Sequence, residues 1–174
     1  KIKNTTGYSL NAFVDYKDGF DILKHIIIGS EGTLAFISSI TYNTVVEHPH
    51  KGLALMIFPT IKEACEAVQI LKTQPVSAVE MMDRASIRSV ENASGVPEYI
   101  KTLSGGAAGL LVEVRGEDDA AVDAKCAQIA ASIKDIPTEL PYAFTKDAKE
   151  QAILWKIRKE TLPTVAGMRK AGRT

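Results

Sequence analysis

The chain has 174 residues, 45% of them hydrophobic and 24% charged, with a mean hydropathy near zero. This composition can bury a core of ordinary domain size. Its 21 basic and 21 acidic side chains balance, which excludes a global field that would draw the chain onto nucleic acid or an anionic membrane. No apolar run approaches the roughly 18 residues of a membrane span. The start, Lys1-Ile2-Lys3-Asn4, lacks the apolar region of a signal peptide, so a cytoplasmic setting is expected, with no nucleic-acid partner. The absence of an initial methionine and the end at Gly172-Arg173-Thr174 without a capping signal lead us to expect a piece of a longer protein.

In chain order, Asp21 to Ile28 reads as a short helix stopped at Gly29, because glycine tolerates the left-handed conformation that ends helices. Residues 34–46 then set Leu34, Phe36, Ile40 and Tyr42 on one face and Ala35, Ile37, Ser39 and Thr41 on the other. That period of two predicts a long strand in need of neighbours. Glu47-His48-Pro49-His50 reads as a linker, and the chain divides there into residues 1–48 and 49–174. The two linker histidines lack a third ligand, so no metal site is expected.

Beyond the linker the pattern is regular. Residues 52–58 suit a central strand ended by Pro59. Thr60 and Glu63 form a capping-box signature for a helix whose stripe carries Ile61, Ala64, Cys65, Val68 and Leu71. Val76 to Met82 is a second strand, Asp83 caps a helix through Val90, and Gly95, Pro97 and Ser104-Gly105-Gly106 mark a loop with a short helical piece. Residues 107–115 give a third strand, followed by a helix with Val122, Cys126, Ile129, Ala130 and Ile133 on one face, stopped by Pro137. A fourth strand is predicted near Leu140 to Phe144, and Thr145 is the expected cap of a last helix through Ala148, Ala152, Trp155 and Ile157. Cys65 and Cys126 fall in apolar stripes and read as reduced structural residues.

The predicted fold class is α+β: a ferredoxin-like split βαβ antiparallel sheet with helices on one face. Such a fold hosts many functions and identifies none. Function must come from particular residues. In the turn Gly29-Ser30-Glu31-Gly32-Thr33 the two glycines let backbone amides approach a phosphate or dinucleotide, and Ser30 and Thr33 add hydroxyl donors. In isolation the pattern is weak, since helix-to-strand turns carry glycine for conformational reasons alone.

Context adds to it. Asn4-Thr5-Thr6-Gly7-Tyr8-Ser9-Leu10, Asp21-Ile22-Leu23 and Ile28-Gly29-Ser30-Glu31-Gly32-Thr33-Leu34-Ala35-Phe36-Ile37 resemble the end of the flavin domain in vanillyl-alcohol-oxidase-like flavoenzymes, best in their 2-hydroxy-acid dehydrogenases. Val79-Glu80-Met81-Met82-Asp83-Arg84-Ala85 and Leu154-Trp155-Lys156-Ile157-Arg158 resemble, in the same order, that family's strand-to-helix passage and its tryptophan-arginine helix. The wording Lys3-Asn4-Thr5-Thr6-Gly7-Tyr8 and Met168-Arg169-Lys170-Ala171-Gly172 is similar to the large members that fuse flavin and iron-sulfur modules.

The resemblance implies oxidation of a D-2-hydroxy acid, D-lactate or D-2-hydroxyglutarate, to the 2-oxo acid with hydride transfer to FAD. It makes residues 1–48 the closing edge of a flavin domain and 49–174 a substrate-covering cap domain, truncated at its end. Gly7, Tyr8, Gly29, Ser30, Glu31, Gly32 and Thr33 are the implied cofactor contacts, and Arg158 the residue that grips the substrate carboxylate. The family's glycine-rich pyrophosphate loop has no counterpart here, so the missing half of the flavin domain is an expected partner, and these 174 residues alone are expected neither to retain FAD nor to be active. An iron-sulfur cluster elsewhere in the longer protein belongs to the same expectation. The family's metal-binding histidines lie beyond the tryptophan-arginine helix, and no catalytic base is named.

Residues 155–174 carry Lys156, Arg158, Lys159, Arg169, Lys170 and Arg173 against the one acid Glu160. This excess suits an anionic substrate, although an exposed basic tail is the plain alternative. Met81, Met82, Glu80 and Asp83 read as structural, because adjacent strand residues face opposite ways and Asp83 caps a helix. A reading from another class, a non-catalytic ferredoxin-like module that binds a small metabolite or mediates assembly, accounts for the two βαβ units equally well. It leaves residues 1–46 unexplained.

Overall fold

The central strand of the sheet is the one whose sequence is apolar almost throughout. β3 (Ala108–Gly116) is buried at eight of its nine positions, with only Arg115 partly accessible. A computed structural model describes residues 7–167 of the chain. These fall into two units divided between Val45 and Val46.

In the second unit β1 (His50–Phe58) and β2 (Ala78–Met82) flank β3, both antiparallel to it, in the order β1-β3-β2. The registers pair Leu53 with Glu113, Ala78 with Glu113, and Glu80 with Leu111. Along the open edge of β1, Leu53 and Thr145 exchange backbone hydrogen bonds at 3.0 and 2.8 Å, and the Glu139 amide donates to the Ile57 carbonyl at 2.7 Å. The predicted fourth strand is therefore reduced to an isolated bridge. Pro141 has no N–H to donate, and the seven residues from Glu139 to Thr145 span what β1 covers in the five from Leu53 to Ile57, so a ladder cannot close. The sequence of neighbours, with this segment outermost beside β1, is that of a split βαβ sheet.

The crossover helices α3 (Ile61–Leu71) and α5 (Asp119–Ser132) cover one face of the sheet, where Met56, Phe58, Leu110 and Val112 meet Ala64, Leu71, Val122 and Ile129. The opposite face is also covered. There Leu53, Ile57, Met82 and Leu111 pack with Ile87 of α4 (Arg84–Val90), Ile100 of a 3-10 turn (Glu98–Thr102) and Ile157 of α6 (Ala148–Gly167). Helices thus lie on both sides, the crossover pair on the expected one. Each fully buried Leu, Ile or Phe contributes about 1.5–3 kcal/mol.

Caps explain where these helices begin. Thr60 accepts from the Lys62 amide at 3.1 Å and bonds Glu63, Asp83 accepts from Ser86 at 2.8 Å, and Asp118 accepts from Ala121 at 2.7 Å. For α6 the cap is Asp147, not Thr145: its Oδ1 accepts from the amides of Lys149 and Glu150, each at 2.9 Å. Thr145 stands two residues earlier, accepting from the Asp147 amide at 3.1 Å.

In the first unit α1 (Ala12–Asp15) precedes α2 (Gly19–Ile26), which is capped by Asp18 and so starts two residues before the expected position. The predicted strand at 34–46 forms no ladder among the described residues, and its apolar side chains are exposed, Phe36 at 93%. Alternation supplies a strand's two faces but not the hydrogen-bonding neighbour that stabilises it.

Candidate functional site

The turn after α2 is built from left-handed backbone. Gly29 has φ +84°, Glu31 +52° and Gly32 +80°. The Ser30 amide donates to Ile27 and the Thr33 amide to Ser30, both at 3.0 Å, so among the described residues the amides of Glu31 and Gly32 lie outside the turn's own bonding. Gly7, at φ +72°, brings its carbonyl to 3.8 Å from the place a Cβ on Gly29 would take. The Tyr8 hydroxyl meets Thr33 Oγ1 at 2.8 Å, and Ser9 Oγ donates to the Ile28 carbonyl at 2.9 Å.

All seven expected cofactor residues are therefore gathered in one place. Their donors differ from the simple expectation: Thr33 Oγ1 donates to the Ser30 carbonyl at 2.6 Å and Ser30 is buried, so these groups tie the turn. The amides of Glu31 and Gly32 are left as donors. Unopposed backbone N–H groups beside glycines fit a dinucleotide contact. Asn4 to Thr6 lie outside the described residues.

In the second unit Arg158 stands on α6, one turn beyond Trp155. Ile157 anchors the helix in the core, with Leu154 partly buried beside it, and this aims Trp155 and Arg158 at the sheet. The Trp155 indole N–H donates to Glu113 Oε2 at 3.1 Å. Arg158 reaches a single oxygen, Glu80 Oε2, with Nε at 3.0 Å and Nη2 at 2.8 Å. Glu80 and Glu113 are diagonal neighbours on the α6 face of β2 and β3, since Glu80 opposes Leu111 and Ala78 opposes Glu113. Three residues along a helix thus match one diagonal step across the sheet.

Glu113 is 4% exposed and its charge is balanced: Arg115 Nε donates to Oε1 at 2.6 Å, and Arg115 Nη1 reaches Glu47 at 3.0 Å. The Glu113 hydrogen bond raises the Arg115 pKa further, while Lys51 and then Arg115 lower that of Glu47. Sequence reading missed Glu80 and Glu113 as partners of the helix. The available signal was an acid within the apolar run Leu110-Leu111-Val112-Glu113-Val114, since a buried carboxylate needs donors.

Of the basic residues expected near Arg158, Lys156 donates to the Ser94 carbonyl at 3.0 Å and Lys159 is exposed, while Arg169, Lys170 and Arg173 lie outside the described residues. The segment from Met168 to Gly172 does too. His50 opens β1 and holds Asp119 at 2.8 Å, a hydrogen bond that lowers the Asp119 pKa. A cavity of about 580 Å³ beside β1 is walled by Leu55, Tyr99, Tyr142, Phe144 and Ile153. It lies where the bridge fails to close, and Arg158 does not line it; its one cation, Lys146, is engaged by Asp123 at 2.8 Å.

Residues 47–174 match the family described as FAD linked oxidases, C-terminal domain, and the chain belongs to that family. It is 33% identical over 146 residues to "D-lactate dehydrogenase [cytochrome], mitochondrial" of Arabidopsis thaliana, covering 83% of this chain and 24% of that protein. It is 30% identical over 158 residues to "D-lactate dehydrogenase" of Archaeoglobus fulgidus, covering 90% of this chain and 30% of that protein. The chain therefore spans less than a third of the length of these relatives, 24% of one and 30% of the other. No helix among the described residues is long and apolar enough to cross a membrane.

Proposed function

We propose that this chain is part of a flavin-dependent oxidoreductase that converts a D-2-hydroxy acid, D-lactate or D-2-hydroxyglutarate, to the 2-oxo acid. Residues 1–48 serve as the edge of the flavin domain and 49–174 as the domain that holds the substrate. The carrying observation is Arg158: a guanidinium on a core-anchored helix, held along one edge by Glu80 and unpartnered at Nη1 among the described residues. The planar fork suits a carboxylate.

FAD, when bound, supplies the two-electron acceptor for the substrate's α-hydrogen. Gly7, Tyr8 and Gly29 to Thr33 are the residues that would hold it. Arg158 binds the carboxylate of the acid, which fixes the orientation of its carbinol carbon and converts an encounter into a positioned complex. An iron-sulfur module elsewhere in the longer protein, as an onward electron path, belongs to the same proposal, as does inactivity of the 174 residues alone.

The test is anaerobic flavin bleaching in the full-length protein by D-lactate and D-2-hydroxyglutarate, with Arg158→Ala beside the wild type. We expect bleaching by at least one acid and a rise in KM of about 100-fold in the variant, the scale of removing one partner of a charge pair. Unchanged KM removes Arg158 from the substrate site.

A further inference from the structure

We propose that Glu80 is a positioning residue for substrate binding: it locks the side edge of the Arg158 guanidinium so that the end edge, Nη1 with Nη2, is presented to the carboxylate. This rests on the reading of Arg158 given above. A guanidinium has two edges able to form paired bonds, one from Nε and Nη2, the other from Nη1 and Nη2. Glu80 Oε2 takes the first edge whole, at 3.0 Å from Nε and 2.8 Å from Nη2. Nη1 has no partner among the described residues, so the second edge stays available.

The lock is built between two fixed supports. Glu80 lies inside β2, in register with Leu111 of the central strand, and Arg158 follows the buried Ile157 on α6. Only the side-chain torsions are free, and the shared oxygen removes them. A stabilising role for the fold is a poor alternative. The Glu80 and Arg158 side chains are 39% and 30% exposed, and pairs so open to solvent contribute about 0–1 kcal/mol. Orientation is the property that such a contact changes most, because small displacements of a binding group cost far more in rate than in stability.

The test uses the full-length, flavin-loaded protein and an artificial electron acceptor, with KM and kcat for D-lactate, or for D-2-hydroxyglutarate where that is the better substrate. Glu80→Ala, Glu80→Gln, Arg158→Ala and the double variant Glu80→Ala/Arg158→Ala are compared, each with its melting temperature and flavin content. We expect Glu80→Ala to raise KM about 10-fold with a smaller change in kcat and near-normal melting. Glu80→Gln, which keeps an acceptor oxygen, should recover most of that loss.

The double variant should be no worse than Arg158→Ala, because Glu80 acts only through Arg158. An unchanged or lowered KM in Glu80→Ala, or additive effects in the double variant, overturns the proposal while Arg158→Ala still raises KM. If Arg158→Ala leaves KM unchanged, or neither acid is oxidised by the wild type, the underlying reading of Arg158 fails and this proposal with it.

Discussion

The indole N–H of Trp155 on α6 is 3.1 Å from Oε2 of Glu113 on β3, and Glu113 has 4% of its surface exposed. This bond joins the last helix to the middle of the sheet through a charge that Arg115 neutralises at 2.6 Å. Removing the carboxylate strands two donors, so Glu113→Ala should destabilise by about 3 kcal/mol, whereas Trp155→Phe, which leaves the ion pair, should cost about 1 kcal/mol. Trp155 is the only tryptophan of the chain. Urea unfolding followed by circular dichroism in both variants, and by Trp155 emission in Glu113→Ala, checks the ranking; equal losses would show that the charge pair carries no weight.

Gly52 is fixed by space. A Cβ there would lie 2.9 Å from Cys126 Sγ, 3.0 Å from Val122 Cγ1 and 3.1 Å from Val114 Cγ2, in the seam between β1 and α5. Gly52→Ala should therefore destabilise by about 1–3 kcal/mol through overpacking. Adding Cys126→Ala removes the nearest obstacle, and the pair should be less destabilised than the sum of its members. Thermal unfolding of the three variants measures this, and strict additivity would contradict the steric account.

Asp83 caps α4, and its hydrogen bonds from Ser86 hold its carboxyl below the ordinary value of 3.8. As pH falls, the unfolded chain takes up this proton first. The cap's contribution, about 1 kcal/mol, is thus complete above the ordinary value and is lost as pH drops through the lower folded value. Asp83→Asn keeps a capping oxygen without the charge. Its stability difference from the wild type should shrink as pH falls through this window, measured by denaturant unfolding at stepped pH.

The cysteines separate by environment. Cys65 is exposed on α3, although its place in the apolar stripe suggested burial, while Cys126 packs against the core and burial raises its thiol pKa. Because the thiolate is the reactive form, iodoacetamide at neutral pH should modify Cys65 well before Cys126. Peptide mass spectrometry over a time course reads the order directly; preferential labelling of Cys126 would contradict the packing described.

The local signals proved readable where the interacting residues are close in the chain. The capping signatures at Thr60 and Asp83 lie within three residues of their partners, and the apolar runs at 52–58 and 107–115 became β1 and β3. Reading failed where the partner came from elsewhere. Alternation across 34–46 was real, yet no ladder forms among the described residues, and the segment at 140–144 was checked by Pro141.

By itself the sequence determined the alternation of strands and helices, most of their caps, and the motif that carries Arg158, since spacing of two, three or four residues is written along the chain. Only the tertiary structure decided that Trp155 meets Glu113 and Arg158 meets Glu80. Those pairs are separated by 42 and 78 positions, and their meeting depends on the β2-β3 register and on the burial of Ile157, which sets the rotation of α6 over the sheet.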